Sequence, residues 1–134
     1  MQQITIKKVQ KPQEKNIKKD IDWICDSFAL SSGRDIGQMT KKVISSIIKN
    51  FSRHAKVSSE KIADELDINQ SMVNHHLRNL SNSGMIYRER KSIMLNGGSL
   101  KAAVNEMRKD TNRLFDDIEE IAEEIDKDLG LKNR

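Results

Sequence analysis

Cysteine is almost absent from this sequence: Cys25 stands alone, so no internal disulfide can form and a reducing compartment is expected. Long apolar runs are missing as well. Nothing approaches the roughly 18 consecutive apolar residues that cross a bilayer. The stretch from Met1 to Lys19 alternates isoleucine with lysine and glutamine and lacks the apolar centre of a signal peptide. A soluble, cytoplasmic protein with no membrane contact is the expectation. The sequence also offers no nucleophile–base pair, no glycine-rich phosphate loop and no spaced set of metal ligands. Gly97-Gly98 follows a strand-like run without the rest of a phosphate-loop signature. Neither an enzyme nor a cofactor is expected.

What is present is charge, unevenly spread. Of 134 residues, 33% are charged and only 36% hydrophobic, which suits one compact helical core with a large solvated surface. Residues 1–98 carry 17 Lys and Arg against 10 Asp and Glu, whereas residues 99–134 carry 7 against 10. A basic front and an acidic rear imply that the front meets a polyanion and the rear does something else.

The opening segment, residues 1–13, is basic and ends at Pro12. The alternation of Ile4 and Ile6 with polar neighbours leaves two readings, a short strand or a flexible arm. From Glu14 to Leu30, Ile17, Ile21, Ile24 or Cys25, and Phe28 recur every three or four residues and predict an amphipathic helix, with Ser31, Ser32 and Gly33 breaking it. This helix and its loop occupy residues 14–35. A second helix is predicted from about Ile36 to Arg53, with Met39, Val43, Ile47 and Phe51 along one face.

Two start signals follow in quick succession. Ser58 is placed as an N-cap between Val57 and Ile62, and Asn69 between Ile68 and Val73; each apolar pair has the spacing of a hydrophobic staple. The first short helix ends at Asp67. The second runs to about Asn82 with Val73, Leu77 and Leu80 inward, and Gly84 supplies a left-handed stop that Met85 completes as a Schellman-type ending. Two short helices joined by so tight a turn form a helix-turn-helix. The pattern then changes to a strand period: Met85-Ile86-Tyr87 and Ile93-Met94-Leu95 flank the charged tip Arg88-Glu89-Arg90-Lys91, a hairpin closed by Asn96-Gly97-Gly98. The predicted fold is therefore mainly α with a small β-hairpin wing, a winged helix-turn-helix over residues 36–98.

The rest, residues 99–129 before a short tail at 130–134, reads as one helix roughly 46 Å long. Leu100, Val104, Met107, Thr111, Leu114, Ile118, Ile121 and Ile125 alternate spacings of four and three, a heptad seam for a coiled coil. A domain this small cannot cover such a seam alone, so the same helix of a second chain is the expected partner, with parallel and antiparallel pairing both open.

With these residues in place, the sequence resembles the winged-helix regulators of the ArsR type, in the version found in archaea. The resemblance is carried by Val57-Ser58-Ser59-Glu60-Lys61-Ile62-Ala63-Asp64-Glu65-Leu66, by Ser71-Met72-Val73-Asn74-His75-His76-Leu77-Arg78-Asn79-Leu80, and by Ser83-Gly84-Met85-Ile86. It covers roughly Ile36 to Leu95. It implies a dimeric transcription factor whose second motif helix enters the major groove while the wing lies along the backbone. The chain departs from metal-sensing members, which place paired cysteines where this sequence has Ser58 to Ala63, or histidines on a last helix that here has none. Metal sensing is not expected, and no effector is indicated.

If Val73, Leu77 and Leu80 face the core, helix geometry turns Gln70, Ser71, Asn74, His75 and Arg78 outward. Those residue types can read base edges: Gln and Asn on adenine, Arg on guanine, Ser and His on a base or a phosphate. Arg88, Arg90 and Lys91 of the hairpin, with Ser58, Ser59 and Lys61 near a helix start, are the candidate backbone contacts. The competing reading of the same residues is an ordinary solvated surface. His76, beside Leu77, is assigned to packing and hydrogen bonding within the motif, and adjacency with His75 argues against a shared metal site. Cys25 and Trp23 read as packing residues, and the acids from Asp116 to Glu124 as a solvated helix face. Function then narrows to a homodimeric regulator that binds specific double-stranded DNA. The alternative is a winged-helix module that binds protein and touches nucleic acid weakly.

Overall fold

A computed structural model describes residues 2–30, 39–54 and 56–132 of the chain. Among these residues five helices and one hairpin follow in order: α1 (Ile17–Ser27), α2 (Met39–Ser52), α3 (Ser59–Leu66), α4 (Gln70–Ser83), β1 (Ile86–Glu89), β2 (Ser92–Leu95), a 3₁₀ turn at Asn96–Gly98 and α5 (Leu100–Leu129). This is the mainly helical fold with a wing and a long last helix that the sequence predicts. The predicted break at Ser31–Gly33 and the start of the second helix at Ile36 lie outside the described residues.

Each start signal operates as read. Ser58 accepts from Lys61 N–H at 3.1 Å and Asn69 from Met72 N–H at 2.7 Å, satisfying amides that the first turn of a helix leaves unpaired. Ser99 does the same for Ala102 at the head of α5, and Asn16 for Lys19 at the head of α1. The first helix thus starts at Ile17, three residues later than its apolar period suggested. Between α3 and α4 the chain turns at Asp67, which holds left-handed backbone at φ 54°; Asp tolerates this region better than most residues. Gly84, at φ 92°, ends α4 as expected, but Met85 N–H goes to the Ser83 hydroxyl, so the ending is a left-handed stop with a side-chain bond and not the Schellman type.

The core gathers one apolar face from every element. Val43, Ile47, Ile62, Val73, Leu77, Leu80, Met85, Ile93 and Met107 are all buried, joined by Cys25 from α1 and Ala103 from α5. Polar ties fix how these elements lie. Thr40 Oγ1 and His76 Nδ1 are hydrogen-bonded at 2.9 Å inside the core, tying α2 to α4. Glu65 of α3 accepts from Ser46 Oγ at 2.7 Å and from Asn50 Nδ2 at 3.1 Å, tying α3 to α2. Lys41 and Asp26 pair at 3.0 Å across α2 and α1. Among the described residues no buried side-chain nitrogen or oxygen lacks a partner, as a well-packed interior requires.

The opening segment has no regular secondary structure and lies outside the two-stranded sheet, but it is hydrogen-bonded to the domain at several points. Gln3 N–H donates to Asn82 O at the end of α4, and Lys7 N–H to Ser27 O at the end of α1. The indole of Trp23 donates to Val9 O at 3.0 Å, and Gln2 Nε2 reaches Asp110 of α5 at 2.8 Å. The segment therefore acts as a strap across the ends of α1 and α4 and onto α5.

Two local features bear on stability. The first helix ends in a Schellman arrangement: Leu30 N–H donates to Cys25 O and Ala29 N–H to Asp26 O, with Ala29 at φ 52° where glycine is the usual occupant. Relief of left-handed strain outweighs the glycine entropy cost there, so Ala29→Gly is expected to stabilise the fold by about 0.5–1 kcal/mol, read from urea midpoints. The second concerns Glu65. Its hydrogen bond from Ser46, with help from Asn50, Lys61 and Arg53, holds its carboxyl below the usual glutamate value against a smaller opposing effect of burial. A carboxyl that binds its proton less readily when folded stabilises the fold above its unfolded pKa and loses that contribution as pH falls through the lowered folded value. Glu65→Gln is therefore expected to reduce stability at neutral pH and to flatten its decline in acid, measured by urea titrations at pH 7 and below pH 4.

Candidate nucleic-acid interface

The candidate surface is built outward from the buried ridge of α4. Val73, Leu77 and Leu80 have no exposed area, which forces the opposite face of the helix to the outside. Gln70, Ser71, His75 and Arg78 are exposed there, and Asn74 is half-buried. His75 and His76 stand edge to face with ring centres 5.6 Å apart, one outside and one hydrogen-bonded inside. Among the described residues no group of three or more His, Cys, Asp and Glu side chains is placed to hold a metal ion.

The wing is a four-residue by four-residue antiparallel pair in which Ile86 faces Leu95 and Glu89 faces Ser92, leaving Arg90-Lys91 as a two-residue turn. Ile93 and Leu95 point into the core while Tyr87, Arg88 and Glu89 point out. Ile93 N–H also donates to Val57 O at 2.9 Å, so the chain entering α3 leans on the wing. That contact brings the head of α3, the head of α4 and the hairpin around one cleft. It is lined by Ser58, Ser59, Glu60, Gln70, Arg88, Arg90, Lys91 and Ile93 and has a volume of about 210 Å³. This is smaller than the roughly 300 Å³ and upward of a small-molecule pocket. Its rim carries three cations, Arg88, Arg90 and Lys91, against the single acid Glu60, beside the hydroxyls of Ser58 and Ser59, a balance that favours an anion.

Two of the expected base-reading residues are already engaged. Gln70 Nε2 donates to Ser59 Oγ at 2.9 Å, joining the heads of α4 and α3. Arg88 Nη2 donates to Asn74 Oδ1 at 2.6 Å, joining wing to helix. Both side chains were expected to stand free; any base that Asn74 meets must share its carbonyl oxygen with Arg88 or displace it.

The structure thus brings Ser58, Ser59, Gln70, Arg88, Arg90 and Lys91 together, with Asn74 attached through Arg88. Ser71, His75 and Arg78 lie on the exposed face of α4 outside that cleft. Lys61 does not line the cleft; its backbone N–H serves the Ser58 cap, and its positive charge acts on Glu65. Two residues escape a reading of the sequence. Glu60 brings an acid to the wall of the cleft, and Lys56 lines a second groove with Glu89, Arg90, Lys91, Ser92 and Met94. The signal for Lys56 was its place next to Val57; its approach to the hairpin depends on the bond from Ile93, which no local pattern announces.

Comparison with known proteins agrees with this geometry. Residues 45–88, from the middle of α2 to the wing, match the family model for the bacterial regulatory protein, arsR family. No curated protein and no solved structure matched the chain. The match covers about a third of the sequence.

Arg90 yields a test of what the hairpin tip is for. It holds left-handed backbone at φ 59° in a turn where Asn or Gly is favoured, a conformation that costs a residue with a side chain about 1–2 kcal/mol. Arg90→Gly is expected to leave the fold as stable or up to about 1 kcal/mol more stable while weakening duplex DNA binding several-fold. Thermal melts and anisotropy titrations on one preparation read both effects.

Proposed function

We propose, on the basis of the ArsR-family regulator domain at residues 45–88, that the protein is a transcriptional regulator that binds specific double-stranded DNA as a homodimer. In this reading α4 enters the major groove and the wing lies on the backbone or in the neighbouring minor groove. One observation carries it: an exposed row of base-reading residue types on α4 runs alongside the basic cleft that α3 and the wing complete. Arg78 and Asn74 then read base edges, with Gln70, Ser71 and His75 reading or positioning beside them. Ser58, Ser59, Arg88, Arg90 and Lys91 hold the backbone. Lys61 is left outside the contact set by its proximity to Glu65, and Lys56 joins it.

The homodimer is supported by α5. Beyond Thr111 the helix is bare, and Leu114, Ile118, Ile121 and Ile125 are each at least 50% exposed, too continuous an apolar stripe for a solvated helix. Two copies joined through this stripe would offer two α4 helices to successive major grooves about 34 Å apart. No catalytic step enters this reading.

Selection of bound fragments from genomic DNA, followed by anisotropy with the best site, tests the assignment. Arg78→Ala and Asn74→Ala are each expected to weaken specific binding by roughly ten-fold or more, and affinity should fall steeply with salt as phosphate contacts release counterions. Specific binding that survives both substitutions removes α4 from the reading role. Failure to bind any duplex at moderate salt favours the protein-binding module instead.

A further inference from the structure

Charge is divided along α5 as sharply as along the whole chain. Its front half, residues 100–113, carries Lys101, Arg108, Lys109 and Arg113 against Glu106 and Asp110; its rear half, residues 114–129, carries eight acids against Lys127 alone. Burial is divided too. In front, Ala103 and Met107 are committed to the domain core, while Leu100 and Val104 are half-buried. With Ile24 of α1 and the rims of Lys101 and Arg108, these last two line a shallow groove open to solvent. The rear has no such shelter: Phe115, Ile118 and Ile121 are more than half exposed.

We infer that this groove receives the rear half of α5 from a second copy, so that the two helices run antiparallel; the inference rests on the homodimer proposed above. The first argument is electrostatic. A parallel pair would lay eight acids beside eight for some four turns and set the basic fronts against each other. Reversal sets each acidic rear against the partner's Lys101 and Arg108, and two-fold symmetry does so twice. The second argument is register. The seam has the same spacing read from either end, so one antiparallel alignment places Leu100 opposite Ile125, Val104 opposite Ile121, Met107 opposite Ile118 and Thr111 opposite Leu114. Half-buried Leu100, Val104 and Thr111 then face uncovered residues, with Met107 the exception, and the lone polar pair falls near the two-fold axis. Because Met107 is already used within its own domain, Ile118 would settle against Val104 and the alkyl stem of Arg108. The rear half spans about 24 Å and the front about 21 Å, so each fills the length of the other. The amino-terminal helix then joins the interface through Ile24.

Cross-linking of the full chain decides the polarity. Val104→Cys and Ile121→Cys chains are prepared separately, checked for helicity and oxidised mildly, with the unaltered chain as control for the buried Cys25. A disulfide needs Cα atoms within about 7 Å. The expected result is that neither variant alone forms a covalent dimer, whereas an equal mixture does. Covalent dimers from each variant alone would establish the parallel arrangement and overturn this inference while leaving the homodimer intact. A dimer by sedimentation that cross-links in neither test would move the interface away from the seam and overturn it as well. A monomeric unaltered chain at tens of micromolar would overturn both readings. Charge reversal at Lys101→Glu with Arg108→Glu is expected to weaken association at least ten-fold at low salt and less at high salt; no change would remove the electrostatic argument.

Discussion

The arrangement depends on the burial of one ridge, Val73, Leu77 and Leu80, against the other elements of the domain. An α-helix has a single rotational freedom once its axis is placed, and three fully buried aliphatic side chains remove it. Each contributes on the order of 1.5–3 kcal/mol by leaving water, far more than any exposed polar contact on the opposite face. The outward row from Gln70 to Arg78 is therefore placed by what lies behind it, and its polar residues are free to be chosen for what they meet.

Around that ridge, polar bonds do what apolar packing cannot, which is to set direction. Apolar surfaces attract over a broad range of geometries, whereas a hydrogen bond weakens steeply away from its preferred line. The Glu65 clamp onto Ser46 and Asn50 aims α3, and the Thr40–His76 bond fixes α4 against α2. Val57 O does the same for the wing. Losing any of these would leave the core apolar but loosen the angle between the head of α3, α4 and the hairpin, on which the cleft depends.

Most of this fold was legible because its signals are local. Caps at Ser58 and Asn69, the stop at Gly84 and the switch from helical to strand period at Met85 all act within a few residues. The heptad seam was equally readable as a pattern, although only the structure shows that its front is taken up by the domain while its rear is bare. What could not be read were contacts between residues far apart in the chain. Gln70 with Ser59, Asn74 with Arg88, and Lys56 beside the wing each join elements whose relative placement is a tertiary result. The placing of Lys61 is of the same kind: a helix start draws attention to nearby cations, but which of them line the cleft is decided by the hairpin, and Lys61 does not. The opening segment gave conflicting signals because its bonds go to the ends of α1 and α4 and to Asp110, none of which its own alternation encodes.

The last helix has a mechanical meaning as well as a chemical one. It is continuous for 30 residues, seated in the domain at Ala103 and Met107, tied to it once more at Asp110, and exposed along nearly all its length from there on. A rod clamped near one end converts a slight tilt at its base into a much larger sweep at its tip. Substitutions that merely resize the seat, far from any surface that could meet a ligand, would therefore change the distance between whatever its two ends hold. In such a molecule the packing of a small alanine acts as a ruler.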